Sequence, residues 1–148
     1  MAKYFIYFSQ TGNGDFIASL LKEQGYEIIK VETKRPIGKA NFFNIIKLGG
    51  EAGIHKCAKI KEFTLDLKEN DEVTIGSPIW NDRLSTPINT VLKKYEFNKE
   101  TTNFILYLAG SQGKHAAKRL KKLGFKKEPL IILNALKDEQ GTKDKLGL

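Results

Sequence analysis

The sequence predicts a single doubly wound α/β domain over residues 1–148, with five parallel strands in the order 2-1-3-4-5 and helices on both faces. Short apolar runs alternate with amphipathic segments, which is the pattern of strand–helix–strand units. Polar loops follow three of the apolar runs, and two of these loops contain glycine. A chain of 148 residues, 41% hydrophobic and 28% charged, fits one soluble domain with its own core.

The first part of the chain contains two predicted strands and two predicted helices. They are a strand at residues 3–8, a helix at 15–24, a strand at 26–32 and a helix at 41–48. The first helix repeats apolar side chains at helical spacing, from Phe16 to Leu21, and Gly25 follows as a C-cap. Gly49 and Gly50 end the second helix.

The second part adds three strands and two helices before a polar tail. They are a strand at residues 72–76, a helix at 87–95, a strand at 103–109, a helix at 113–123 and a strand at 130–133. Pro87 suits the first turn of its helix, with Ser85 or Thr86 as the cap, and Gly124 ends the next helix. From Lys137 the tail is polar, and it is predicted to hold only a short helix.

The chain is basic, with 25 Lys and Arg against 17 Asp and Glu and a net charge of +8. In the predicted strand order, the helices after strands two, three and four share one face. Much of the basic surplus would gather on that face, in Lys39, Lys47, Lys93, Lys94, Lys114, Lys118, Arg119, Lys121 and Lys122. An acidic partner and nucleic acid are both open interpretations. A solvated lysine surface is favoured over nucleic acid, because no recognition motif is present.

The expected compartment is the cytoplasm, without a membrane anchor. No apolar stretch approaches the roughly 18 residues of a membrane span, and the N-terminus begins as a strand without a signal sequence. Cys57 is the only cysteine, so an internal disulfide is excluded. His55 and Cys57 are two potential ligands, too few for a metal site, and no metal is predicted.

Three loops are predicted to leave strand ends at one edge of the sheet, at residues 9–14, 77–85 and 109–113. In open α/β sheets ligands bind beyond the carboxyl ends of the strands, where the strand order reverses. The three loops are therefore predicted to form one site.

The first loop, SQTGNG, combines hydroxyl and amide side chains with two glycines and leads into a helix N-terminus. Free backbone amides there favour an anion, and the absence of Lys and Arg predicts a phosphate held by neutral dipoles. The missing Gly-Lys-Ser/Thr ending argues against a Walker loop. A dinucleotide-binding motif is also incomplete, because Ile17 stands where its third glycine should be. Glu32 does lie at about the spacing that this motif requires of an acidic residue, so a variant dinucleotide site stays a minor alternative. A plain strand-to-helix turn is equally open for this loop alone.

The second loop carries Trp80 behind the stiffening Pro78, and the third, AGSQG, offers backbone amides with little side-chain bulk. A lone tryptophan is more often a core residue, and a glycine-rich segment is often a simple turn. Taken together, a phosphate loop, an aromatic wall and a glycine-rich lip at one edge predict a flat phosphorylated ligand.

Three segments resemble the flavodoxin family. YFSQTGN is similar to its phosphate loop, and GSPIWNDRLSTPINTVL is similar to the segment in which a Gly-x-Pro-x-Trp run precedes a helix. LGGEAGIHKCAKIKEF resembles a loop of short flavodoxin-like oxidoreductases. The similarity covers roughly residues 3–135 and implies non-covalent FMN on a five-stranded doubly wound sheet.

The resemblance also implies roles for the loop residues. The FMN phosphate would be wrapped by Ser9, Gln10, Thr11, Gly12, Asn13 and Gly14. The isoalloxazine would be lined by Ser77, Pro78, Ile79 and Trp80, with Trp80 stacking on it and with Asn81 and Asp82 near its edge. The other side would be closed by Gly110, Ser111, Gln112 and Gly113.

Two features depart from the family pattern. Many flavodoxins have threonine where Gly14 stands, so one hydroxyl donor is missing here. Flavodoxins that carry electrons are generally acidic, whereas this chain is basic, which changes the expected partners more than the cofactor.

The favoured function is electron transfer between redox partners. The partner would be a protein or a small electron acceptor, and an acidic partner is one option. The alternative is an NAD(P)H-dependent FMN oxidoreductase that reduces a quinone or a similar small acceptor. Flavin supplies the redox chemistry in both, so no catalytic side chain is predicted. GSQG at residues 110–113 is not a nucleophile elbow, which leaves hydrolase chemistry without support.

Overall fold

The computed structural model describes residues 1–35, Gly50 and residues 56–148. The predicted helix at 41–48 lies outside the described residues, as do Lys39 and Lys47. The same holds for residues 48, 49 and 51–55, which belong to the first half of the LGGEAGIHKCAKIKEF segment. The strands are β1 (Lys3–Tyr7), β2 (Glu27–Lys30), β3 (Glu72–Trp80), β4 (Arg83–Leu84), β5 (Asn103–Leu108) and β6 (Leu130–Leu133). The helices are α1 (Asn13–Glu23), α2 (Thr86–Lys94), α3 (Lys114–Lys122) and α4 (Glu139–Leu146).

Five of the strands form a parallel sheet in the order β2-β1-β3-β5-β6. The two-residue β4 pairs with β3 in the antiparallel sense and lies off this path. The predicted order 2-1-3-4-5 is therefore confirmed, and the fold is a flavodoxin-like, doubly wound α/β sheet. The order reverses between β1 and β3, which are hydrogen-bonded neighbours.

Helices cover both faces of the sheet, as predicted. Side chains of α2 and α3, such as Ile88 and Leu120, pack with Ile6 in one core cluster. Side chains of α1, such as Ile17, pack with Phe5 in the other. Adjacent residues of β1 thus pack into the two clusters on opposite faces of the sheet, because side chains alternate along a strand and both faces are covered.

The helix ends follow from local sequence. Gly25, with φ 85°, donates its amide to Lys22, and Tyr26 donates to Leu21, so α1 ends in a Schellman motif. Ser85 is the N-cap residue of α2, and Gly124, with φ 97°, follows α3. The four helices named above are between eight and eleven residues long. None of the helices in the described part of the chain has the length and apolar character to cross a membrane.

The prediction that the third strand ends at Gly76 is wrong, since β3 continues to Trp80 and returns as β4. Asn81 and Asp82 form the two-residue turn, with φ angles of 50° and 59°. Asparagine and aspartate tolerate this left-handed region, and two such residues make the type I′ turn whose twist matches a hairpin. The second predicted loop is therefore a β-hairpin, which gives Trp80 a rigid support.

Candidate functional site

A cavity of about 300 Å³ lies at the edge of the sheet where the strand order reverses. The loop after β1, the β3–β4 hairpin and the end of β5 enclose it. It is lined by Gln10, Thr11, Asn13, Pro78, Ile79, Trp80, Asn81, Tyr107, Leu108 and Ala109. The structure thus brings the first two predicted loops together with Ala109, the first residue of the third, and none of the described lining residues carries a formal charge.

The loop after β1 presents unused backbone donors. The amides of Gln10, Thr11, Gly12 and Asn13 donate no hydrogen bond to another described residue, whereas the Gly14 amide donates to Ser9 Oγ at 3.2 Å. Gly12, the N-cap residue of α1, has φ 91° and adopts the left-handed conformation. Free amides at a helix N-terminus bind anions, because the N–H groups and the helix dipole both favour negative charge.

Gln10 adds a side-chain donor to this loop. Its Nε2 atom is buried and has no hydrogen-bond partner among the described residues. A buried donor without a partner costs about 1–3 kcal/mol, so a ligand with an acceptor at this point would be stabilised. Asn13 has a different role, because its Oδ1 accepts the Leu136 amide at 3.0 Å and ties the loop to the segment after β6.

Trp80 supplies an aromatic wall. Its ring is partly buried and lies nearly perpendicular to the Phe8 ring, with centroids 5.9 Å apart and an interplanar angle of 88°. Pro78 and Ile79 continue the same wall. The indole therefore packs against the core on one side and borders the cavity on the other, which suits it to pack against a flat ring.

Tyr107 is a lining residue that the sequence analysis missed. It is almost fully buried, its hydroxyl donates to the Phe8 carbonyl, and burial raises its pKa well above the usual range. A Cβ atom on Gly14 would lie 2.7 Å from Tyr107 Oη and 2.9 Å from Ser9 Cβ. Gly14 is therefore required by close packing, and the threonine hydroxyl common in the flavodoxin pattern has no room here.

Asp82 ties the hairpin tip to the N-terminus of α3. Its Oδ2 accepts the His115 amide at 3.1 Å and contacts His115 Nδ1 at 2.7 Å. Burial by itself raises the pKa of Asp82, but hydrogen bonds from His115, Ser111 and the Gly113 amide outweigh it and lower the pKa to about 2. The carboxylate thus caps α3 and holds the hairpin that carries Trp80.

The remaining predicted site residues do not line this cavity. Ser77 is fully buried, and its hydroxyl accepts the Ser85 amide at 3.1 Å. Ser111 and Gly113 face Asp82, whereas Gly110 and Gln112 are exposed. Contact between these residues and a ligand stays a prediction. Among the described residues, no group of three or more His, Cys, Asp or Glu side chains is placed to hold a metal ion.

We expect Asp82→Asn to remove an acid-sensitive part of the stability. The pKa of Asp82 falls from 3.8 to about 2 on folding, so its contribution is present above pH 4 and is lost as the pH falls toward 2. The side chain is 23% exposed, which reduces the expected contribution to about 1–2 kcal/mol at neutral pH. Urea unfolding between about pH 2 and pH 7 measures it.

Asp66→Asn, at an exposed position, is the matched control for this measurement. If Asp82→Asn and the unmodified chain lose stability in parallel on acidification, Asp82 does not carry the effect.

No protein-family model and no curated protein matches the chain. Several solved structures match it in fold. A flavoprotein from Lactobacillus acidophilus, crystallised in complex with FMN, shares 19% identity over 96% of this chain and 99% of its own, with a TM-score of 0.67. The NMR structure of the apo form of the flavoprotein from that organism shares 19% identity over 92% of this chain and 95% of its own, with a TM-score of 0.64. A candidate flavoprotein from Bacteroides eggerthii shares 22% identity over 99% of this chain and 98% of its own, with a TM-score of 0.68. These likenesses define the fold over nearly the whole length of each chain.

Proposed function

We propose that this chain binds FMN in the cavity at the edge of the sheet and transfers electrons between redox partners. The proposal depends on one observation: an uncharged loop with free amide donors and an aromatic wall border the same cavity. That combination suits a ligand with a phosphate at one end and a flat ring at the other. The presence of FMN in the L. acidophilus flavoprotein of the same fold supports the choice of nucleotide.

The residues present fit this cofactor. The backbone amides of residues 10–13 and the partnerless Gln10 Nε2 would hold the phosphate. The side chains of Pro78, Ile79 and Trp80 would cover the ring system and exclude water from one side of it. FMN, when bound, supplies reversible electron transfer, while the protein contributes binding, orientation and electrostatics.

The uncharged lining favours electron transfer over acid–base catalysis. Among the described residues that line the cavity, Tyr107 is the only titratable one, and its hydroxyl is already bonded to the Phe8 carbonyl. Its raised pKa keeps it protonated at neutral pH. Within the described part of the lining, no side chain is therefore poised to exchange a proton with a substrate, as a general acid or base must.

Titration of the apo protein with FMN tests the proposal. We expect a 1:1 complex with a Kd of about 1 μM or below. Trp80, the one tryptophan of the chain, reports binding through quenching of its fluorescence. Riboflavin, which lacks the phosphate, should bind at least about 10-fold more weakly, because charge-assisted hydrogen bonds to the loop are lost. Equal affinities would contradict the phosphate site, and the absence of any complex at tens of micromolar FMN would overturn the proposal.

The NAD(P)H-dependent alternative is tested on the loaded protein. Under anaerobic conditions, we expect NADH and NADPH to reduce the bound flavin far more slowly than a chemical reductant does. Rapid reduction by either nucleotide, without an added reductase, would replace electron transfer between partners with the oxidoreductase reaction.

A further inference from the structure

The two faces of the sheet differ strongly in helix charge. Among the described helices, the two on one face, α2 and α3, contain seven Lys and Arg and no Asp or Glu. Those on the other face, α1 and α4, contain three Lys and four acids. We call the surface formed by α2 and α3 the basic face. Its basic residues are Lys93, Lys94, Lys114, Lys118, Arg119, Lys121 and Lys122.

Few of these charges are neutralised within the described part of the chain. Lys94 pairs with Glu62 at 3.2 Å and Lys121 with Glu128 at 3.4 Å, and both pairs are solvent-exposed. Exposed pairs of this kind contribute only about 0–1 kcal/mol, so a partner can replace them at little cost. The other basic-face lysines form no ion pair with a described residue.

A groove of about 290 Å³ lies between α2 and α3. It is lined by Cys57, Asn89, Leu92, Lys93, Arg119 and Leu123. Arg119 Nε is buried and has no hydrogen-bond partner among the described residues. A guanidinium and an ammonium between two leucines can receive a carboxylate together with its apolar stem, since arginine matches carboxylate geometry.

The basic face adjoins the proposed FMN site. The hairpin that carries Trp80 is joined to the start of α3 by Asp82 and His115, and the Ala116 amide donates to the Asp82 carbonyl at 3.0 Å. Lys118 lies about 6 Å along the helix axis from Lys114, the first residue of α3, at about 1.5 Å per residue. A protein bound to the basic face would therefore lie beside the wall of the cavity.

We propose that the basic face docks an acidic protein, one of whose Asp or Glu side chains enters the α2–α3 groove against Arg119. That this protein is a redox partner rests on the proposed function; the docking itself does not. Complementary charge raises association rates and orients the complex, and a buried arginine–carboxylate contact near the centre of an interface is a common hot spot. The groove favours a polypeptide over nucleic acid because its walls are partly apolar and it accepts a single side chain.

Cys57 provides the readout, because it is exposed, lines the groove and is the only thiol in the chain. Its alkylation by iodoacetamide is measured with and without poly-L-glutamate as the probe, on the full-length chain. At about 20 mM NaCl we expect the probe to slow alkylation at least about 5-fold, and at about 500 mM to have no effect, since salt screens the charges.

Matched variants locate the binding surface. Lys118→Glu/Lys122→Glu changes the basic face, and Lys22→Glu/Lys143→Glu makes the same change in net charge on the other face. We expect the first pair to weaken probe binding at least about 10-fold and the second less than about 3-fold. Arg119→Gln should remove the protection of Cys57 while leaving most salt-dependent binding. Thermal unfolding confirms that each variant is folded.

Equal weakening by both pairs, or unchanged alkylation with the probe bound, would overturn the proposal. Duplex DNA that protects Cys57 as well as poly-L-glutamate does would also overturn it, by assigning the face to nucleic acid. FMN affinity is measured on the same variants. In the unmodified chain, failure to bind the probe with intact FMN binding refutes this inference alone, whereas failure to bind FMN with intact probe binding refutes the proposed function alone.

Discussion

Replacing Gly14 by threonine is expected to destabilise the protein by about 2–3 kcal/mol and to remove most FMN binding, although threonine restores the common flavodoxin pattern. The added Cβ would lie 2.7 Å from Tyr107 Oη and 2.9 Å from Tyr107 Cζ. The Tyr107 ring cannot easily retreat, because it is buried and its hydroxyl is bonded to the Phe8 carbonyl. The clash must therefore displace the start of α1, whose amides form the proposed phosphate loop.

Urea unfolding and FMN titration measure the two effects. Gly110→Ala is the matched control, because Gly110 belongs to a predicted site loop, has no positive φ, and a Cβ there would meet no atom within 4 Å. We expect it to change stability by less than about 0.5 kcal/mol. A Gly14→Thr protein as stable as the Gly110→Ala protein would show that Tyr107 does not exclude a side chain at residue 14.

A double-mutant cycle isolates the cause. Tyr107→Phe removes the hydroxyl nearest to the missing Cβ and leaves the Phe8 carbonyl without its donor. Alone it should cost about 1–2 kcal/mol. Combined with Gly14→Ala, it should cost at least about 0.5 kcal/mol less than the sum of the single changes, since residues in contact are not additive. If the two changes in unfolding free energy are strictly additive, the effect of a side chain at residue 14 does not arise from its contact with the Tyr107 hydroxyl.

The parts of the fold that the sequence predicts are those set by periodic burial. The run Leu130–Leu133 is a strand at the predicted bounds, as a short apolar run rich in isoleucine indicates, although only Ile132 is buried and Leu133 is exposed. The basic residues of the helices at 86–94 and 114–122 share one face as predicted, since right-handed crossovers leave one arrangement for the strand order.

The missed parts depend on contacts between distant residues. Asn81 and Asp82 both tolerate the left-handed backbone of a type I′ turn, and this local signal favours the return strand that supports Trp80. Nothing local to Tyr107 indicates that its hydroxyl reaches Phe8, 99 residues earlier in the sequence. The same holds for Asp82 and His115, 33 residues apart, whose contact exists only because the hairpin tip meets the start of α3.

Trp80→Ala is expected to weaken FMN binding by about 10- to 100-fold, which corresponds to about 1.4–2.8 kcal/mol of stacking and excluded water. The indole is partly buried at the cavity wall and lies on the strand extension that the hairpin holds in place. Its contact with Phe8 also stabilises the free protein, so a loss of about 1 kcal/mol in unfolding free energy should accompany the change. Flavin fluorescence follows the titration, because this variant has no tryptophan.

Two further variants separate stacking from support of the wall. Trp80→Phe keeps an aromatic face and should recover most of the affinity, whereas Trp80→Leu restores apolar bulk without a π system and should recover little. Asp82→Asn loosens the hairpin tip but leaves the indole, so its effect on FMN affinity should be smaller than that of Trp80→Ala. If leucine serves as well as phenylalanine, the wall acts by excluding water alone. If alanine has no effect, the ring of the ligand does not lie against Trp80, and the orientation that we propose for FMN is wrong.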